Sequence, residues 1–284
     1  MEPPIGLIAG FGRLPELIAE GVHQAGRRLV CVGLRGTHDP ALARTCDAYA
    51  TAGIAQLGRQ IRLLRRWGVR ETMMAGKVEK TRIYQPWLLV RNLPDLRAIW
   101  IWYRRLRHDR RTDYMLRVLA EEYARGGITM IDTTRYIPEH VAESGVMTRA
   151  APSASRRADI DFARPLIARL GELDIGQAMV VRDCETIAVE AIEGTDAMIE
   201  RAGALCRVGG WVLVKAAKPQ QQLSLDAPVV GVETIEKMAA HGGGCLALEA
   251  GRVIMVDKPA VLAAADRHGI AIVGIHLPDR MAAD

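Results

Sequence analysis

Ile5-Gly6-Leu7-Ile8-Ala9-Gly10-Phe11-Gly12-Arg13-Leu14-Pro15 is the stretch on which the fold turns. Ile5–Ala9 is a short apolar run that breaks at Gly10-Phe11-Gly12; Leu14, Leu17, Ile18 and Val22 then recur at helical spacing until Gly26. An apolar run, a glycine turn and a periodic segment in that order describe a strand feeding a helix. Leu29–Leu34 is a second continuous apolar run, suited to a parallel strand buried on both faces. Leu57, Ile61 and Leu64 mark the next helix, closed by Gly68, and residues 69–75 the next strand. Met115, Leu116, Leu119, Ala120 and Tyr123 give a further helix that stops at Gly126-Gly127, with residues 128–131 as a last strand. This rhythm predicts an α/β protein whose first half is a Rossmann-like parallel sheet.

The second half has a different texture. Residues 138–157, with Pro152, Ser153 and Ser155, read as a crossing between a first domain, 1–137, and a second, 158–284. Ile160, Ala163, Ile167 and Leu170 space a helix. Two β-rich runs, 178–181 and 186–192, flank Arg182-Asp183-Cys184-Glu185 and predict a hairpin. A helix from Asp196, a strand Trp211–Lys215, a helix Val232–Ala240, a strand pair around Gly251, a helix 259–267 and a strand 270–275 complete a mixed α/β domain.

Composition narrows the class. The chain has 284 residues, 49% of them hydrophobic and 25% charged, enough for two ordinary cores and not the balance of a disordered chain. Lys and Arg number 38 against 33 Asp and Glu, a modest excess that clusters at residues 104–117 and 59–70. Such clusters suit phosphate or an anionic surface as well as a solvated helix face; no nucleic-acid partner is expected. The five cysteines are odd in number and lack CxxC spacing, which argues against a disulfide framework and for a reducing compartment. No stretch approaches the roughly 20 apolar residues of a spanning helix, and Met1-Glu2-Pro3-Pro4 does not open a secretion signal. A cytoplasmic protein is expected.

Several constellations could carry chemistry. Gly10 and Gly12 would let backbone approach a phosphate at a helix N-terminus, although a tight turn with Pro in the first helical turn fits equally. Gly76 and Lys77 follow the strand at 69–75, on the side of an open α/β sheet where ligands sit; Lys77 could meet an anion or simply lie on the surface. Further on, Thr195 can cap a helix beginning at Asp196, leaving Gly194 with bare backbone. Glu190, Glu193 and Asp196 crowd that anion-friendly point, a pattern that makes sense with Mg²⁺ between carboxylates and phosphate, or as favourable charges near a helix N-terminus. Lys215 and Lys218 can neutralise a diphosphate. Asp226, before Ala227-Pro228, could hold Mg²⁺ or orient water, or be an ordinary turn residue. The seven histidines show no HxH, HxxxH or HExxH spacing, so a zinc hydrolase is unsupported.

Trp87-Leu88-Leu89-Val90 and Ile99-Trp100-Ile101-Trp102-Tyr103-Arg104-Arg105 place aromatic and basic residues together. This suits peripheral contact with a membrane surface or a grip on acyl chains; a buried helix pair or a homodimer contact fits as well.

Across several of these motifs the chain resembles the LpxI-type UDP-2,3-diacylglucosamine pyrophosphatases. The resemblance rests on Gly6-Leu7-Ile8-Ala9-Gly10, Ala75-Gly76-Lys77-Val78, Leu173-Asp174-Ile175-Gly176-Gln177, the run from Ala188 to Asp196, Lys215-Ala216-Ala217-Lys218-Pro219 and Asp226-Ala227-Pro228. It implies a Rossmann-like domain joined to a mixed α/β domain. It also implies Mg²⁺-dependent hydrolysis of a nucleotide-linked lipid, UDP-2,3-diacylglucosamine, to UMP and 2,3-diacylglucosamine 1-phosphate in lipid A synthesis. By the same resemblance Asp226 is the essential acid, Lys77, Gln177 and the Gly194-Thr195 turn belong to the substrate cleft, and Asp113 keeps one half of a paired-Asp motif. Gln222 and Ser224 stand where the family carries an acid and an arginine. Two other functions compete: an NAD(P)-dependent oxidoreductase, against which Pro15 in place of the third glycine speaks, and a non-catalytic binder of a nucleotide-sugar lipid.

Overall fold

The structure, a computed structural model, describes residues 2–77, 93–109, 112–218 and 227–278. It forms two compact units, the first running to Ile137 and the second beginning at Pro138.

In the first unit β1 (Ile5–Ala9), β2 (Leu29–Leu34), β3 (Ala48–Ala52), β4 (Glu71–Ala75) and β5 (Thr129–Met130) form one sheet in the order β3-β2-β1-β4-β5. Every neighbouring pair is parallel, as the Rossmann-like reading requires. All residues of β1 and β2 are buried, which is why both read as unbroken apolar runs. β3 was not expected: Ala-Tyr-Ala-Thr-Ala has no such run because it is the half-exposed edge. Helices α1 (Leu14–Gln24) and α2 (Leu57–Arg66) follow β1 and β3. Leu57, Ile61 and Leu64 from α2 pack with Ile8, Val30 and Val32 of the sheet. Tyr123, on α4 (Thr112–Arg125), is fully buried in the same core and donates its hydroxyl to Gln60, whose amide in turn bonds Gly53 O at 2.8 Å. Between them α3 (Leu96–Ile101) continues through one π-type turn, Trp102–Leu106. Trp87 to Val90 lies outside the described residues.

The second unit holds a six-stranded mixed sheet. Its strands are β6 (Gly145–Val146), β7 (Ala178–Arg182), β8 (Glu185–Val189), β9 (Trp211–Lys215), β11 (Gly243–Glu249) and β13 (Ala271–Ile275). They stand in the order β6-β13-β11-β9-β7-β8. Helices α5 (Ala154–Glu172), α6 (Thr195–Leu205), α7 (Val232–Ala240) and α8 (Lys258–His268) complete it. Trp211 is fully buried, its indole bonded to His241 O at 3.1 Å.

Three local features depart from expectation. The crossing segment contains β6, which joins the second sheet antiparallel to β13. Ser153 caps α5, accepting from Arg156 N at 3.3 Å, so the helix starts at Ala154, ahead of Ile160 where its apolar spacing begins. The strands flanking Gly251 do not pair with each other: β12 (Ile254–Met255) pairs in parallel with β10 (Val229–Val230). The β7–β8 hairpin forms as expected, but without glycine. Asp183 and Cys184 both take positive φ, 52° and 57°, the backbone of a type I′ turn. The buried Asp159 carboxylate secures it by accepting from Cys184 N at 2.7 Å.

Candidate active site

In the first unit two motifs that are far apart in sequence lock together. Phe11 and Lys77 exchange backbone hydrogen bonds, N to O, at 2.9 and 2.7 Å, while Gly10 N donates to Ala75 O at 2.8 Å. Only glycine permits this approach. A Cβ on Gly10 would lie 2.7 Å from Lys77 O, and one on Gly76, whose φ is 99°, would lie 2.7 Å from the Gly10 carbonyl carbon. Gly12, also at positive φ, leads into α1, whose N-cap Arg13 makes no side-chain cap. Lys77 is exposed. The carboxyl ends of β1 and β4 thus carry one joined pair of glycine turns beside a helix N-terminus.

The second unit brings three further motifs together. Gly176 sits against the backbone of Glu190: a Cβ there would lie 1.9 Å from Glu190 O. Glu190 N donates to Ala178 O at 2.9 Å, and Ala216 N to Gln177 O at 3.0 Å. The segments around Gln177, Glu190 and Lys215 are therefore neighbours because β7 lies between β8 and β9. Gly176→Ala is expected to lower stability by about 2–3 kcal/mol, the cost of overpacking against immobile backbone. A urea midpoint shifted down at constant slope would show it; an unchanged midpoint would refute the contact.

Helix α6 begins at Thr195 rather than Asp196. Gly194, at φ 84°, is the N-cap, and Thr195 is the first helical residue, not the cap. Its hydroxyl is instead the middle of a relay: Lys215 Nζ donates to Thr195 Oγ1 at 2.9 Å, and Thr195 Oγ1 donates to Glu190 Oε1 at 2.7 Å. Lys215 also donates to Val229 O at 3.0 Å. Lys215 and Glu190 are 5% and 6% exposed, so this is a buried charge assembly. Glu190 Oε2 is buried and has no hydrogen-bond partner among the described residues.

The remaining acids point elsewhere. Glu193 accepts from Ala191 N at 3.1 Å and pairs with Arg201 at 2.5 Å. Its own backbone N–H and that guanidinium hold its carboxyl below the usual range. Asp196 pairs with Lys237 at 3.5 Å. Among the described residues no three His, Cys, Asp or Glu side chains are grouped to hold a metal ion. Glu193 and Asp196 each pair with a cation, Arg201 and Lys237, while Glu190 is held by Thr195. Asp226 lies outside the described residues, as does the side chain of Asp113. Lys218 Nζ bonds Asp174 Oδ1 at 2.6 Å.

Two participants are not among the predicted site residues, although Asp174 lies within the Leu173–Gln177 motif. Asp174, at φ 56°, supplies the partner of Lys218. Glu249, 7% exposed at the end of β11, accepts from Ala217 N at 2.8 Å and so fixes the turn after Lys215. An acid closing the apolar run Cys245-Leu246-Ala247-Leu248 was the available signal.

Known proteins resemble the chain over both units. Residues 4–140 match the LpxI N-terminal domain and residues 143–273 the LpxI C-terminal domain. A relative from Caulobacter vibrioides, named UDP-2,3-diacylglucosamine pyrophosphatase LpxI, is 34% identical over 97% of this chain and 99% of its own length. Likeness to solved structures is slight. CobK precorrin-6A reductase aligns over 100% of this chain and 91% of its own at TM-score 0.34 and 12% identity. A biotin carboxylase from Campylobacter jejuni aligns over 73% and 43% at TM-score 0.25 and 11% identity. Neither value bears on fold or activity. Two domain matches in sequence order, with a relative aligned end to end, identify the chain as a member of the LpxI family.

Proposed function

We propose that the chain hydrolyses the pyrophosphate bond of UDP-2,3-diacylglucosamine, releasing UMP and 2,3-diacylglucosamine 1-phosphate. Family membership supplies the substrate. The observation that carries the chemistry is the Lys215–Thr195–Glu190 relay, a buried cation held at a helix N-terminus. Charge fixed in advance stabilises charge that develops on phosphate oxygens without reorganising during reaction. Gly194 leaves the first amides of α6 uncapped by a side chain, and Lys218 adds a second cation steadied by Asp174. Gly10, Gly12, Gly76, Lys77 and Gln177 are assigned to substrate, and Asp226 to the attacking water or its activation.

A magnesium requirement belongs to the same proposal. Magnesium on a diphosphate takes phosphate oxygens and water with only one or two carboxylates, so its need does not depend on the acidic trio. Among the described residues no three His, Cys, Asp or Glu side chains are grouped around one point, and no catalytic step is assigned to the ion. The enzyme is proposed to work in the cytoplasm, at the membrane that holds its lipid; no described helix is long and apolar enough to cross a membrane.

The test is release of UMP from UDP-2,3-diacylglucosamine by purified protein, with Mg²⁺ and with a chelator. Turnover with the ion and loss of it on chelation, at an unchanged unfolding transition, is the expected result. No UMP at high protein concentration with Mg²⁺ or Mn²⁺ supplied would overturn the proposal, and intact lipid bound without turnover would make the chain a binder.

A further inference from the structure

Helix α3 and its π-type continuation present an apolar face to solvent. Leu96 is 86% exposed and Tyr103 64%, and Ile99 and Trp100 are about half exposed. These four recur at steps of three, one and three, which sets them on one side of a helix. Ile101 and Leu106 face the other way and are buried in the core of the first unit. The segment is also tied down rather than loose. Asp95 caps it, accepting from Ala98 N at 3.0 Å, and holds α2 through Arg59 N at 3.1 Å. Arg105 pairs with Glu121 at 2.5 Å, and Arg97 with the buried Glu122 at 3.3 Å. Large apolar side chains held outward by a rigid scaffold mark a contact surface.

The charges beside the face say what it contacts. Arg104 and Arg107 are exposed at its C-terminal end, Arg107 stacked 4.6 Å over the Tyr103 ring. The adjoining helix α2 adds exposed Arg62, Arg65 and Arg66. Trp and Tyr, each an apolar body with a polar tip, suit the boundary between headgroups and acyl chains. Arginines beside them suit anionic headgroups. A second copy docked on the same face would bring no acid against these arginines, since residues 96–107 contain none. The geometry points to docking of this face, Leu96, Ile99, Trp100 and Tyr103 rimmed by Arg104 and Arg107, on an anionic lipid bilayer.

This gives the proposed reaction a route to its lipid, yet its test needs no substrate, so either can fail alone. Purified full-length protein is sedimented with vesicles of phosphatidylcholine alone or with about one third phosphatidylglycerol. Sedimentation with the anionic vesicles only, weakening as salt rises, is expected. Trp100→Ser with Tyr103→Ser should lower the partition coefficient about tenfold or more. Arg104→Glu with Arg107→Glu should do so comparably at low salt and less at high salt. All four positions are exposed, and unchanged urea midpoints would certify the variants as folded; Leu96→Ser serves as a third, separate probe. Wild-type protein that stays in the supernatant, or variants that bind as well as wild type, would overturn the proposal. So would a dimer in sedimentation equilibrium that the Trp100→Ser, Tyr103→Ser protein cannot form, without vesicle binding, since the face would then belong to a second copy.

Discussion

Asp226→Ala should reduce UMP release about a thousandfold, within the range lost when a positioned acid or base is removed, while substrate still binds. Asp226 comes from the family pattern and from its place before Ala227-Pro228, not from a described contact. The measurement therefore has to separate chemistry from folding. Equilibrium binding of UDP-2,3-diacylglucosamine to the inactive variant, with its urea midpoint, does so. Retained binding and midpoint with lost turnover place the carboxylate in the reaction. Near-normal turnover would remove it from the site. Asp226→Asn should be as damaging, since it keeps the shape and loses the charge.

Lys215→Met should be nearly as costly to turnover, and costly to the fold as well. The ammonium and the Glu190 carboxyl are separated by one hydroxyl, roughly 5 Å apart, where opposite charges attract by about 3 kcal/mol at the effective dielectric of a protein. Removing the cation leaves a buried acid without its counter-charge, a change that commonly costs about 3–5 kcal/mol. The double variant Lys215→Met, Glu190→Gln removes both charges and should recover much of that stability but none of the turnover. That divergence is the decisive reading. If activity returned with stability, the lysine would be structural. Thr195→Ser should stay close to wild type because it keeps the hydroxyl that both partners use.

The sequence made the first unit legible because its central strands are buried on both faces, so apolar runs and helical spacing coincide with the elements. The edge strand β3 escaped notice since half-exposed alanines and a threonine carry no such signal. Pairing in the second unit was harder to foresee. β12 joins β10 across an intervening helix and strand, and spacing along the chain does not report partners. The glycine motifs were readable as turns, but not their mutual lock, which depends on β1 and β4 being neighbours. The relay was half readable. Its residues stand out in the sequence, but a threonine before a helix resembles a cap, whereas Thr195 is the first helical residue and Gly194 the N-cap. The pairing of Glu193 with Arg201 and of Asp196 with Lys237 was not readable, since those cations lie eight and forty-one residues away in sequence.

The reciprocal bonds between Phe11 and Lys77 tie two loops that belong to different βα repeats. Neither loop can be lengthened, shortened or exchanged for a relative's version by itself without unzipping the other. Chimaeras assembled from this chain and a homologue should therefore keep both segments from the same parent, whatever is done with the rest.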